Sequence, residues 1–221
     1  MMRGFIYDRL ILGLTSQWYA EVLERIPDGT VLLDVGIGTA GALMANAGRI
    51  ERKALRVVGI DIDLEYVERA RKRLRGSRLE DRVEVRLESV YEHRGGPYDA
   101  VYFSASFMLL PDPEQALRHC CELLRPGGRI FFTQTIQERR SRWMETLKPL
   151  LRRVTTIDFG RVTYREDFEA QIRSARLELE EFSVLARHGN RASCLAVARP
   201  VAVASPVSQE NGEDKSRPVE D

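Results

Sequence analysis

The chain has 221 residues, 43% of them hydrophobic and 30% charged, with a formal net charge of +1, the balance of one globular domain. That balance excludes a global field that would recruit nucleic acid or an anionic membrane, so any such attraction needs a local patch. Cys120, Cys121 and Cys194 form no CxxC pair and His93, His119 and His188 are scattered, so no metal site is expected and reduced thiols point to the cytoplasm.

The start, Met1 to Arg9, interrupts its apolar residues with charge too early for a signal-peptide core. Residues 6–26 then carry Trp18, Tyr19, Val22, Leu23 and Ile26 at helical spacing, with Thr15 or Ser16 placed to cap the second half. Pro27-Asp28-Gly29 ends this N-terminal helical cap, residues 1–29, as a turn. Residues 30–34 are β-branched and leucine-rich, the pattern of a strand buried on both faces. Glycines follow, then a helix over 40–50. Residues 56–60 repeat the strand pattern and end in Asp61.

Residues 64–74 read as a helix with Leu64, Val67, Ala70 and Leu74 on one face. Its other face carries the i,i+4 pairs Glu65–Arg69 and Glu68–Lys72. Strands follow at 83–87 and 98–103. Asp112-Pro113 opens a helix as N-cap and first-turn proline, Pro126-Gly127-Gly128 stops it, and 129–133 is a fifth strand. After a helix at 165–175, strands at 177–185 and 192–198 flank the turn-like His188-Gly189-Asn190, too close for a parallel crossover. The alternation predicts an α/β fold: a three-layer α/β/α sandwich on a seven-stranded, mostly parallel sheet with an antiparallel C-terminal pair, spanning 30–199.

Residues 134–164 interrupt this rhythm as a helical insertion or lid. Trp143, Leu147, Leu150 and Val154 fall near one helical face, and Arg139, Arg140, Arg142, Lys148, Arg152 and Arg153 form a basic cluster. The cluster reads as the solvated face of a packed helix, or as a substrate lid with peripheral membrane contact. Residues 200–221, rich in Pro, Ser, Glu and Asp without periodicity, read as a disordered tail. No apolar run approaches the ~20 residues that span a bilayer.

Gly36, Gly38 and Gly41 satisfy G-x-G-x-x-G between a strand and a helix. There the chain must turn sharply and bring bare backbone to a ligand. Nicotinamide and flavin enzymes share that pattern. Asp61, twenty residues beyond Gly41, suits the ribose hydroxyls of an adenosine in any of these classes. Asp34 separates them. A carboxylate two residues before the first glycine repels a pyrophosphate at the helix N-terminus but attracts an ammonium and a sulfonium. S-adenosylmethionine carries both.

Residues 31–41, VLLDVGIGTAG, resemble motif I of class I (Rossmann-like) S-adenosylmethionine-dependent methyltransferases. Residues 57–63, VVGIDID, resemble the second-strand motif, and 123–130, LLRPGGRI, the turn before the fifth strand. The resemblance implies that Gly36, Ile37 and Gly38 wrap the methionine half, with Asp34 near its amine and Ser104 lining the same end. It implies that Asp61 holds the ribose, that Ile62 packs on the adenine, and that Glu88, Ser89 and Val90 meet the base. Glu88 stands where aspartate is commoner. Residues 103–106, FSAS, lack the Asp/Asn-Pro-Pro-Tyr/Phe motif of aminopurine and amide N-methyltransferases, and no Pro-Cys motif of the pyrimidine C5 enzymes appears.

The chain is therefore expected to be an enzyme that moves a methyl group from S-adenosylmethionine to a small, lipid-like or acidic acceptor. The order of N-terminal helix, core and insertion before residues 163–168 is similar to the ubiquinone/menaquinone-biosynthesis and small-molecule methyltransferases. A non-catalytic cofactor-binding partner protein and a nicotinamide-dependent oxidoreductase are the alternatives. The catalytic base is not legible, because cofactor motifs do not encode it.

Overall fold

The computed structural model describes residues 2–137 and 163–201, with side chains from residue 12 onward. The elements are α1 (Met2–Arg25), β1 (Val31–Val35), α2 (Gly41–Ala45), α3 (Ala47–Arg52), β2 (Arg56–Asp61), α4 (Leu64–Leu74), β3 (Val83–Leu87) and β4 (Tyr98–Ser104). A 3-10 turn (Phe107–Leu109), α5 (Pro113–Leu123), β5 (Leu124–Gln137), α6 (Arg165–Ser174), β6 (Leu177–His188) and β7 (Arg191–Pro200) follow. They build one seven-stranded sheet in the order β3-β2-β1-β4-β5-β7-β6. The first five of these strands are mutually parallel, and β7 runs antiparallel to both β5 and β6.

Side chains alternate across each strand, so the sheet has two buried faces. Leu32, Val57, Tyr102 and Phe131 pack with Val22, Leu23, Leu43 and Val67 from α1, α2 and α4. Leu33, Ile60, Phe103 and Phe132 face the other way, against Leu117, Cys120, Phe168 and Ile172 from α5 and α6. This is the three-layer arrangement that the strand–helix alternation predicted. α1 is fastened to the first layer by Lys53, whose ammonium donates to the carbonyls of Leu23 (2.7 Å) and Ile26 (2.5 Å), satisfying acceptors that a helix end leaves open.

Several local expectations change. The helix expected over 40–50 is two short ones, because Asn46 turns its amide back onto the carbonyls of Ser16 and Ala42, each at 2.9 Å. Thr15 and Ser16 cap nothing. Within the continuous α1 their hydroxyls donate to the Leu12 carbonyl. Helix α5 ends at Leu123, before the proline-glycine turn. There Gly127 adopts φ 81°, while a Cβ on Gly128 would lie 3.0 Å from the Arg125 carbonyl. Pro200 closes β7 instead of opening a tail. β5 runs on to Gln137, which bridges to Tyr164.

The apolar and basic residues of the expected insertion, Arg139 to Val154, lie outside the described residues, as does the tail from 202 to 221. Among the described residues no helix is long and apolar enough to cross a membrane. No His, Cys, Asp or Glu cluster among them could hold a metal ion. None of the three cysteines is in a disulfide. Burial pushes the Cys121 thiol up to about 11 and Cys120 higher still, so both stay protonated near neutral pH.

Candidate active site

β1 leads into helices on one face of the sheet, and its neighbour β4 leads into α5 on the other. Diverging connections open a crevice at the carboxyl edge, where sheets of this kind bind ligands. The loop after β1 forms one wall. Gly36 and Gly38 hold φ of 79° and 58°, a region that side chains rarely adopt. A Cβ on Gly36 would come 2.6 Å from the Ser106 Cβ, so only glycine lets the two loops meet. The Ser106 hydroxyl closes that contact by donating to the Val35 carbonyl. Ile37 does not face the crevice with its side chain. It is buried against Gly59, where a Cβ would lie 2.2 Å from its Cδ1.

Asp34 lies beneath this loop with no exposed surface. One carboxylate oxygen accepts a 2.5 Å hydrogen bond from the Tyr19 hydroxyl, and the other has no partner among the described residues. Burial lifts the Asp34 pKa to about 7, opposed by the Tyr19 hydrogen bond and reinforced by the charge of Asp61. Burial together with Asp34 also holds the Tyr19 phenol well above its ordinary value. Tyr19 packs edge-on against Tyr102 at 5.0 Å, and the Tyr102 hydroxyl reaches the Thr133 hydroxyl at 2.7 Å. Ser104 ends β4 beside Thr133 in the ladder.

On the other side of the loop, Asp61 accepts from the Gly38 amide at 2.9 Å and from the Asp63 amide at 3.0 Å. Each oxygen keeps a lone pair free. Ile62 follows, 78% exposed, so its side chain is open to a ligand at this edge. Val90 is buried and Ser89 begins a turn in which its carbonyl accepts from the amides of Glu92 and His93. Glu88, half-exposed, binds the Nδ1 atom of the buried His93 at 2.5 Å. Asp34, Asp61, Glu88 and Ser104 thus share one edge of the sheet.

The side-chain amides of Gln134 and Gln137 escape a reading of the sequence, whereas Trp18 belongs to the expected N-terminal helical cap. Trp18 Nε1, both side-chain amide atoms of Gln134, and Gln137 Oε1 are buried with no hydrogen-bond partner among the described residues. They sit on α1 and at the carboxyl end of β5, beside the crevice. Leaving such atoms unpaired costs about 1–3 kcal/mol each, so each calls for a partner in water, in a ligand or elsewhere in the chain. A second cleft opens at the opposite edge of the sheet, lined by Arg25, Asp99, Arg125, Arg129, Glu180 and Glu181. Its charges pair internally, Arg25 with Glu181, Arg125 with Asp99 and Arg129 with Glu180.

Residues 33–132 match the family model described as a methyltransferase domain. The core of the chain is thus similar to methyltransferase domains. The chain is 32% identical over 119 residues to the ubiquinone biosynthesis O-methyltransferase of Escherichia coli, covering 52% of this chain and 47% of that protein. The Xylella fastidiosa protein of the same name is 29% identical over 171 residues, covering 73% and 67% of the two chains. The chain spans about half the length of the first of these curated relatives.

Solved structures share the methyltransferase fold at lower identity. The cyclase SpnF superposes with a TM-score of 0.69 at 19% identity, covering 85% of this chain and 82% of that one. Geranyl diphosphate C-methyltransferase from Streptomyces coelicolor, in complex with Mg2+, geranyl diphosphate and S-adenosyl-L-homocysteine, superposes at 0.65 and 15% identity. That match covers 86% of this chain and 77% of that one.

Proposed function

We propose that the chain is an enzyme that transfers a methyl group from S-adenosylmethionine to a small-molecule acceptor. The observation that carries the reading is the orphaned, fully buried carboxylate oxygen of Asp34 below a glycine loop that only bare backbone can form. A buried carboxylate poised near pH 7 gains most from a cationic partner, and the methionine end of this cofactor carries an ammonium. A pyrophosphate would face the same carboxylate as a repulsive charge.

The remaining residues fit the same ligand. Gly36 and Gly38 offer backbone to the methionine half, with Ser104 at its far side. Asp61 accepts the ribose hydroxyls through its free lone pairs, Ile62 and Val90 enclose the base, and Glu88 with Ser89 meets its edge. Bound there, the cofactor supplies an electrophilic methyl group on sulfur. The protein's part is to align donor and acceptor and to exclude water.

Gln134 and Trp18 are the described groups best suited to hold the acceptor, since their buried polar atoms lack partners. The relatives named for ubiquinone biosynthesis favour a small, lipid-like acceptor over RNA or peptide, and reduced thiols favour a cytoplasmic enzyme. The basic insertion would supply any peripheral membrane contact.

A second reading, a protein that binds the cofactor and transfers nothing, is kept open by the cyclase that shares the fold. Two measurements decide. Calorimetry should detect S-adenosylhomocysteine and not NADH; the reverse would make the chain an oxidoreductase. Labelled methyl donor incubated with a cell extract should then label small apolar molecules. Labelling of nothing, with cofactor binding intact, would favour the second reading.

A further inference from the structure

His93 is the one histidine with no exposed surface, and it lies between two side chains. Its Nδ1 meets the Glu88 carboxylate at 2.5 Å and its Nε2 meets the Tyr98 hydroxyl at 2.7 Å. An ionised carboxylate only accepts, so a proton on Nδ1 is what joins the ring to Glu88; in the neutral tautomer with that proton, Nε2 accepts from the Tyr98 hydroxyl. A Tyr98 hydroxyl that donates to Nε2 favours the tautomer that can hold Glu88.

The surroundings are shaped for this relay. A Cβ on Gly95 would fall 2.5 Å from His93 Nε2 and 2.4 Å from the Tyr98 hydroxyl, so the bond between them needs a glycine there. The His93 backbone is pinned as well. Its amide donates to the Ser89 carbonyl at 3.0 Å, and its own carbonyl accepts from His119 at 2.8 Å and Arg94 at 3.1 Å. Glu88 is joined to the other half of the site, its amide donating to the Asp61 carbonyl at 3.1 Å. A glutamate side chain standing alone at the end of β3 would sample many rotamers and lose entropy on binding. Here one oxygen is tied to His93, and the Glu88 side chain, which follows the carboxyl end of β3, is 37% exposed.

We propose that His93, oriented by Tyr98, is a positioning residue that fixes the Glu88 carboxylate to accept a hydrogen bond from the exocyclic amino group of adenine. The inference rests on the cofactor reading above. Its consequence is selectivity: the site tells an aminopurine from a purine lacking that group, and the discrimination travels through a buried ring that touches no ligand.

The test compares affinities for S-adenosylhomocysteine and for its analogue with hydrogen in place of the 6-amino group, by calorimetry at pH 7.5 on the full chain. The natural protein should favour the adenine form by about tenfold or more, the range of a hydrogen bond to a charged group. His93→Leu should bring the ratio close to one, because Glu88 is no longer held. Tyr98→Phe, which keeps the ring packing, should lower it by a smaller factor. A purely structural role would weaken both ligands together and leave the ratio unchanged. That result in folded His93→Leu overturns the proposal, and where this variant does not fold, an unchanged ratio in Tyr98→Phe does so. Failure of the natural protein to bind either ligand would instead overturn the cofactor reading itself.

Discussion

At the residue scale, the Asp34–Tyr19 pair sets a conflict between stability and binding. Burial raises the Asp34 pKa from 3.8 to about 7, so the folded chain retains a proton that the unfolded chain has released. The stabilisation is fully present below the unfolded value and is lost as pH rises through about 7, a difference on the order of 4 kcal/mol. Asp34→Asn removes that titration. Urea unfolding between pH 5 and pH 7 should show the natural protein losing stability with rising pH, and the variant losing clearly less. The same substitution removes the charge that would face the cofactor ammonium, so affinity for S-adenosylhomocysteine should fall about tenfold or more. A variant that binds as tightly as the natural protein would remove Asp34 from the site.

At the scale of elements, the crevice exists because two loops touch. Gly36→Ala must place a methyl group 2.6 Å from the Ser106 Cβ while holding φ near 79°, a strain of about 1–3 kcal/mol. The expected outcome is a melting temperature lower by several degrees and cofactor affinity reduced at least tenfold, with far-ultraviolet circular dichroism unchanged. Both helix and strand periods made most of these elements legible from the chain itself. Misplacements occurred where a side chain overrode the period: Asn46 splits one helix by binding across to Ser16, a partner thirty residues away that no local pattern announces. Ile37 was assigned by its place in the motif, and its burial against Gly59 depends on a neighbouring strand.

At the scale of the whole molecule, the sheet gathers polar groups on one edge and pairs the charges of the other. Gln134 shows what that asymmetry does. Its amide is buried and unpartnered, so Gln134→Leu should raise stability by about 1–2 kcal/mol while leaving S-adenosylhomocysteine affinity unchanged. Once an acceptor is identified, the same variant should raise its KM. An unchanged KM would show that this amide does not meet the acceptor.

The division between chain and fold follows range. Asp34, Gly36, Gly38 and Asp61 announce a cofactor because their chemistry lies in two short strand–loop segments, whose conformations are set by neighbours in sequence. The order of strands and helices was readable for the same reason, since burial on both faces leaves a periodic trace. Tertiary structure alone brought the Tyr19 hydroxyl to Asp34, His93 between Glu88 and Tyr98, and Gln134 to an edge without partners. Those contacts come from packing between elements, where a hydroxyl or an imidazole finds its partner by position and leaves no periodic mark in the sequence.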